Sequence, residues 1–174
     1  MLCSPGKIME EARVTLIGVG NILMMDEGIG VHTVKAIEEL CHLPPGLEVV
    51  DGGTAGLDLL PYIDGRERVL IVDAVDFGQE PGFIGMLENE DIPRVLEGQA
   101  KMSLHHLGLV DVIGAARLLD AFPQEICLIG IQPHTIDVGL EMTPLIKERM
   151  KVLMERVIDK LRDWDIPCVW RQQK

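Results

Sequence analysis

The stretch that decides the fold is RVTLIGVGNILMMDEGIGVHTVKAIEEL, residues 13–40. Residues 13–20 form a nearly continuous apolar run, which is typical of a buried strand. Across residues 29–41, apolar side chains recur at threefold spacing and predict one face of a helix. These side chains are Val31, Val34, Ile37 and Leu40. A glycine-containing turn joins the predicted strand to the predicted helix.

The rest of the chain repeats this alternation of strands and helices. Further strands are predicted at 46–53, 68–76, 81–88 and 125–133, and further helices at 55–64, 105–122 and 143–164. A short helix is also possible in the EDIP stretch that follows residue 88. Pro61 is expected to break or kink the helix at 55–64, and the glycines and proline of 81–88 indicate an edge strand. Alternation of this kind predicts an α/β fold with a mainly parallel, right-handed sheet covered by helices on both faces.

The apolar face of the helix predicted at 105–122 is expected to pack into the core. It carries Leu109, Val112, Ala116 and Leu119.

Length and charge narrow the class of protein. The 174 residues predict one domain, residues 13–174, after a loose tail of residues 1–12. With 28 acidic against 16 basic side chains, the net charge of −12 disfavours nucleic acid and anionic lipid as partners. We find neither a signal peptide nor an apolar run as long as a membrane span. Four widely spaced cysteines without a CxxC pair indicate reduced thiols, so we expect a soluble cytoplasmic protein.

Polar residues follow the predicted strands where a ligand would bind, at the carboxyl ends of a parallel sheet. Asp26 and Glu27 follow the first strand, Asp51 ends the second, and Asp73 ends the third. His105 then begins a helix, next to His106. These residues are the candidate site.

The glycine turn does not fit a phosphate site. Gly18 and Gly20 match the first two positions of GxGxxG, but the third position is Leu23. Two carboxylates in the turn would also repel a pyrophosphate. A Glu, an Asp and a His from three elements instead form an oxygen and nitrogen ligand set for a divalent metal.

Each candidate also has a simpler structural interpretation. Asp26 can be the N-cap of the first helix, and Glu27 a solvated carboxylate in its first turn. Asp51 can bind the backbone amides of its own turn, and His105 can lie on the surface at a helix start. Asp73 follows four apolar strand residues, so a structural role would bury a carboxylate that needs a partner.

The other histidines are expected at the surface. They are His32, His42, His106 and His134. Ser103, Thr54 and the cysteines lie in no nucleophile motif, so a covalent mechanism is disfavoured.

Four motifs together resemble a known family. In chain order they are GVGNILMMDEGIGVHTVKAIEEL, DGGTAGLDLL, LIVDAVDFGQEPG and SLHHLGLVDVIGAARL. The combination resembles the nickel–iron hydrogenase maturation endopeptidases, and the resemblance covers nearly the whole chain from about Val14.

The resemblance implies a three-layer fold, a twisted five-stranded sheet flanked by helices. It implies removal of a short C-terminal peptide from the precursor of the hydrogenase large subunit after nickel insertion. It also implies Glu27, Asp73 and His105 as metal ligands and catalytic residues, with Asp51 and Asp26 in support.

From this resemblance we hypothesise that the three ligands complete the coordination of nickel that the precursor brings, and that water attacks the peptide without an acyl-enzyme. We expect the protein to be a monomer. The runner-up is a non-catalytic nickel-binding checkpoint or chaperone for the same precursor. A nucleotide-binding protein would need the missing third glycine, and a zinc aminopeptidase the missing HExxH helix.

Overall fold

The computed structural model describes residues 13–98 and 104–172, apart from the side chains of Leu104, His105 and Leu107. Its elements, in chain order, are β1 (Val14–Val19), α1 (Ile29–Leu40), β2 (Cys41–His42), β3 (Leu47–Gly53), β4 (Arg68–Ala74), β5 (Ile84–Glu88), α2 (Asp91–Glu97), α3 (Leu104–Leu118), β6 (Glu125–Ile131), α4 (Pro144–Asp163) and β7 (Val169–Trp170). Two 3-10 helices, Met25–Gly28 and Leu57–Tyr62, precede α1 and β4.

Five strands form one sheet in the order β3-β1-β4-β6-β5. Four of them are parallel, and β5 pairs antiparallel with β6 at one edge. The chain leaves β1 for β3 on one side and then returns past β1 to β4 on the other. Strand order therefore reverses between β1 and β4, and the carboxyl ends of these two strands border the crevice where ligands bind in such sheets.

The sheet has a hydrophobic core on each face. Leu16 and Leu70 are partners in the β1–β4 register and belong to the core beneath α1 and α4. The next pair, Ile17 and Ile71, points to the opposite core, beneath α2 and α3. All four side chains are almost completely buried, as expected for a parallel sheet covered on both sides. The predicted three-layer α/β fold is confirmed.

The start of α1 lies unusually close to the sheet. At Gly30 a Cβ atom would overlap the backbone carbonyl oxygens of Val19, the last residue of β1, and Val72, near the end of β4. Only a glycine lets the helix begin here, directly over the point where strand order reverses. The turn before α1 is therefore held at the carboxyl end of the sheet.

Several details differ from the sequence predictions. The helix expected at 55–64 is the 3-10 helix Leu57–Tyr62, which contains Pro61. The prediction that Leu119 packs in the core is wrong, because α3 ends at Leu118 and Leu119 is exposed. The short antiparallel pair of β2 and β7 was not predicted.

Two further expectations concern the ends of the molecule and membranes. The tail predicted for residues 1–12 lies outside the described residues. Among the helices of the described chain, not one combines the length and apolar character needed to cross a membrane.

Candidate active site

The turn between β1 and α1 folds back on itself and buries Glu27. Gly20 has a φ of +127°, and a Cβ atom there would overlap the carbonyl oxygen of Glu27. The Gly20 amide donates a 2.7 Å hydrogen bond to the Gly53 carbonyl, which ties the turn to the end of β3. Glu27 lies in the 3-10 helix Met25–Gly28, which packs against β4, and is only 6% exposed. The interpretation of Glu27 as a solvated carboxylate is therefore wrong.

Asp26 has a different structural role from the one predicted. The N-cap of α1 is Gly28, and no side chain caps the helix, so the N-cap interpretation of Asp26 is wrong. Asp26 is fully buried and accepts hydrogen bonds from the amides of His134 (3.0 Å), Thr135 (2.9 Å) and Thr143 (2.7 Å). The Thr143 hydroxyl donates a fourth, of 2.9 Å. The carboxylate thus fastens the loop between β6 and α4 onto the turn that carries Glu27.

Backbone hydrogen bonds join the same two segments. The Met25 amide donates to the Gly139 carbonyl, and the Gly139 amide donates to the Leu23 carbonyl, each at 2.9 Å. Met24 and Gly139 form an isolated parallel bridge. Met25 has a φ of +48°, a conformation that a non-glycine residue adopts at a cost. The turn is therefore held in one shape by contacts with a segment more than 100 residues away in the chain.

Asp73, near the end of β4, is completely buried. Its Oδ1 accepts a 2.7 Å hydrogen bond from the Ala74 amide, and its Oδ2 lies 2.9 Å from Nε2 of His106. The same Nε2 lies 3.0 Å from the Ala74 carbonyl oxygen. Because both oxygens are acceptors, Nε2 is the ring nitrogen that carries a proton. His106 thereby fixes the orientation of the Asp73 carboxylate.

The expectation that His106 lies at the surface is wrong, since it is only 5% exposed. The side chain of His105 is outside the described residues, so its predicted role stays a prediction. The backbone of residue 105 lies in the first turn of α3, next to His106 and so at the same end of the sheet as Asp73. That end of α3 packs closely on the loop after β3, where a Cβ at Gly108 would be 2.8 Å from the Gly56 Cα.

Glu27 and Asp73 are thus two buried carboxylates at the carboxyl end of the sheet, on elements in contact with each other. Carboxylate oxygens of this kind fit a divalent cation better than an anion. Among the side chains that the structure describes, no three of His, Cys, Asp and Glu come together as a metal-binding group. The third predicted ligand, His105, is one of the side chains not described.

Asp51 is exposed at the end of β3 and makes two interactions. Its Oδ1 accepts a 3.1 Å hydrogen bond from the Gly53 amide, as its structural interpretation predicts, and its Oδ2 lies 2.6 Å from Lys35 Nζ. Nearby, His32 is half-buried, whereas His42 and His134 are exposed as expected. Burial and the charge of Lys35 lower the pKa of His32, partly offset by Asp51, so its imidazole is neutral at pH 7.

Proteins of known family are similar to this chain in sequence and fold. The family model of hydrogenase maturation proteases matches residues 31–160, a span that includes Asp51, Asp73 and His105. The hydrogenase 2 maturation protease of Escherichia coli (strain K12) is 36% identical over 161 residues, covering 92% of this chain and 97% of that protein. This chain belongs to the hydrogenase maturation protease family. The resemblance seen in the sequence motifs is confirmed.

Other relatives agree. The hydrogenase expression/formation protein HupD of Rhodobacter capsulatus is 39% identical over 155 residues, covering 88% of this chain and 73% of that protein. The solved structure of the hydrogenase maturating endopeptidase HybD from E. coli matches with a TM-score of 0.86 at 36% identity, over 91% of this chain and 98% of that one. The expectation of an enzyme that hydrolyses peptide bonds is confirmed at the level of this family.

In this maturation protease, sequence reasoning missed two features that shape the site. One is His106, whose burial cannot be seen from its spacing in SLHH. The other is the loop of residues 134–143, which carries no catalytic motif. Its only signal was the buried acid, Asp26, whose partners the local sequence does not show.

Proposed function

We propose that this protease removes a short C-terminal peptide from the precursor of the nickel–iron hydrogenase large subunit, and that it reads nickel already inserted in that precursor. Glu27, Asp73 and His105 would complete the coordination of the nickel ion. The observation that carries the proposal is the burial of Glu27 and Asp73 at the carboxyl ends of the strands between which strand order reverses, in a chain of the maturation protease family.

Burial supports a metal-reading role for the two carboxylates. A buried carboxylate is costly unless a cation or a hydrogen-bond donor compensates it. For Asp73, the Ala74 amide and His106 Nε2 compensate the charge and fix the carboxylate before the substrate arrives. A metal bound to the precursor would then meet ligands that need no rearrangement, which favours recognition.

The reaction is a hydrolysis without a covalent enzyme intermediate. A water molecule adds to the scissile carbonyl carbon, the C–N bond breaks, and the departing amine takes up a proton. Backbone amides of the glycine turns at the carboxyl end of the sheet are the groups suited to stabilise the tetrahedral oxyanion. Nickel held in place by the three side chains would align the precursor so that one peptide bond lies beside them.

The enzyme would act as a monomer in the cytoplasm, with no nucleic acid or membrane as partner. Cys41, Cys127 and Cys168 are buried reduced thiols, which is usual for proteins of a reducing compartment. The net charge of −12 disfavours polyanions.

A gel assay tests this function. The protein is mixed with large-subunit precursor, with and without inserted nickel, and loss of the C-terminal peptide is followed. We expect cleavage of the loaded form only, and a fall of at least about 100-fold in rate for Glu27→Gln, Asp73→Asn and His105→Ala. Asp58→Asn, an exposed carboxylate of the 3-10 helix Leu57–Tyr62, is the control and should cut normally.

The same assay separates the alternatives. Equal cleavage of nickel-free precursor would refute the metal-reading step, and a wild-type rate for Glu27→Gln would remove Glu27 from the site. Binding of the loaded precursor without cleavage would favour the non-catalytic checkpoint over the protease.

A further inference from the structure

Five large apolar side chains are exposed on two neighbouring loops beside the candidate site. They form the apolar ridge, which comprises Ile22, Leu23, Ile136, Val138 and Leu140. Val138 is 82% exposed and Leu140 is 72% exposed, although hydrogen bonds hold their loop to the turn before α1. A contiguous exposed apolar patch on a monomeric protein often marks an interaction site.

Hydrogen bonds hold the two halves of the ridge together. The parallel bridge between Met24 and Gly139 places the preceding residues, Leu23 and Val138, side by side. The Gly139 amide donates to the Leu23 carbonyl, and the buried Asp26 carboxylate fastens both ends of the second loop. The ridge is therefore held in one conformation before any partner binds, which lowers the conformational entropy lost on docking.

The ridge is continuous with the candidate active site. Leu23 and Glu27 belong to the same turn, separated by the segment that pairs with the second loop. A polypeptide lying on the ridge would reach the carboxylates at the end of the sheet. Two exposed acids, Asp137 and Glu141, alternate with the apolar residues of the second loop and would favour a neutral or basic segment.

We propose that the apolar ridge is the docking surface for the precursor, which presents to it an apolar segment flanked by neutral or basic side chains, next to the bond that is cut. The inference rests on the proposed function. The ridge offers on the order of 400 Å², about half of what each partner of a stable dimer buries, which suits a substrate that must leave after one reaction. The two acids and the net charge disfavour an anionic membrane surface.

The test replaces the two most exposed ridge residues, as Val138→Ser with Leu140→Ser. The matched control is Leu118→Ser with Leu119→Ser, two leucines that are 90% and 65% exposed at the far end of α3. All four side chains lie in solvent, so both double variants should fold, which thermal unfolding checks. Two experiments are made: the Kd is measured for nickel-free precursor, which we expect to bind without being cut, and KM and kcat are measured for loaded precursor.

We expect the ridge variant to raise both Kd and KM by about tenfold or more, with kcat within about twofold of wild type. The control variant should match wild type. Unchanged Kd and KM in the ridge variant would overturn the proposal. So would a wild-type dimer in sedimentation that dissociates in the ridge variant while Kd stays the same, because the occupant would then be a second copy of the chain.

The two proposals fail separately in this design. If wild type does not cut loaded precursor, yet the ridge variant still weakens binding of nickel-free precursor, the protease function fails and the docking surface stands. If wild type cuts and both variants bind and cut alike, the docking surface fails and the function stands. A wild-type protein that neither binds nor cuts any precursor overturns both.

Discussion

Removing the Asp26 carboxylate should loosen the site without touching the proposed metal ligands. In Asp26→Ala, the amides of His134 and Thr135 and both donors of Thr143 lose their acceptor. Removing a charged acceptor costs about 1.5–3 kcal/mol for each bond where the donor stays buried. Thr143 is only 7% exposed, whereas the other two donors belong to partly exposed residues that water can reach once the loop opens. Because His134 is exposed and Thr135 is half-buried, we expect the two Thr143 bonds to dominate, with a net loss of about 3–4 kcal/mol in the free energy of unfolding.

Asp26→Asn should cost less, and the reason lies in the geometry. Oδ2 accepts three of the four hydrogen bonds and Oδ1 accepts one, from the Thr143 amide. The amide nitrogen of asparagine will take the Oδ1 position, so one bond is lost and the charge with it. We expect a loss of about 2 kcal/mol. In urea, with a slope near 2 kcal/mol/M, the midpoint should fall by roughly 1 M for Asp26→Asn and 1.5–2 M for Asp26→Ala.

The assay combines urea unfolding, limited proteolysis within residues 134–143, and precursor cleavage. Both variants should be cut faster within that loop and should process precursor more slowly. For urea unfolding and limited proteolysis, Asp137→Asn is the control, since the hydrogen bond that this exposed carboxylate of the same loop accepts comes from the adjacent Val138 amide. A midpoint for Asp26→Ala within about 0.3 M of wild type, with the loop still resistant to protease, would refute the idea that this carboxylate holds the turn.

Three other changes test the fold. Gly30→Ala forces a Cβ into the carbonyl oxygens of Val19 and Val72 and should cost at least about 3 kcal/mol by urea unfolding, whereas Gly114→Ala, in open space on α3, should stabilise by up to about 1 kcal/mol. Lys160→Met removes an Nζ that lies 2.8 Å from both Glu88 and Glu125, so it should cost about 1–2 kcal/mol and leave cleavage unchanged; full stability of this variant would contradict the reasoning. Burial raises the pKa of Cys127 from 9.0 to about 12, because the charged thiolate is disfavoured there. As the pH rises, the Cys127 thiol ionises at lower pH in the unfolded chain than in the folded protein, so its contribution to the free energy of unfolding is complete below pH 9 and is lost toward pH 12. In unfolding experiments at a series of pH values, Cys127→Ala should therefore show a smaller loss of stability over this range.

The main sheet could be predicted from the sequence because its strands are short apolar runs. Residues 69–72 are four consecutive apolar side chains, and the structure buries all of them in β4. The edge position of β5 followed from the glycines and proline of residues 81–88. By contrast, β2 and β7 are two residues each and carry no periodic signal. Leu119 continues the apolar spacing of α3 past the residue where the helix ends, so the pattern placed it in the core wrongly.

The site was less visible because its contacts are long-range. Spacing identified Glu27 and Asp73 as acids at strand ends, but it could not show that both are buried. Asp26 looked like an N-cap because caps are local, whereas its real partners lie up to 117 residues away. His106 contacts β4 across 32 residues, and only the packing of α3 on the sheet reveals that its side chain is buried.

The separation in the chain between Asp26 and Thr143 also determines when, during synthesis, the active site can form. On the ribosome, the turn with Glu27 is made early, but the neighbouring Asp26 carboxylate lacks its full set of hydrogen-bond donors until 117 more residues have been added. At about 5–20 residues per second, that interval is roughly 6–25 s. A nascent or prematurely terminated chain therefore carries the acidic motif without the scaffold that shapes it. Proteolytic competence therefore arrives only after Thr143 has been synthesised.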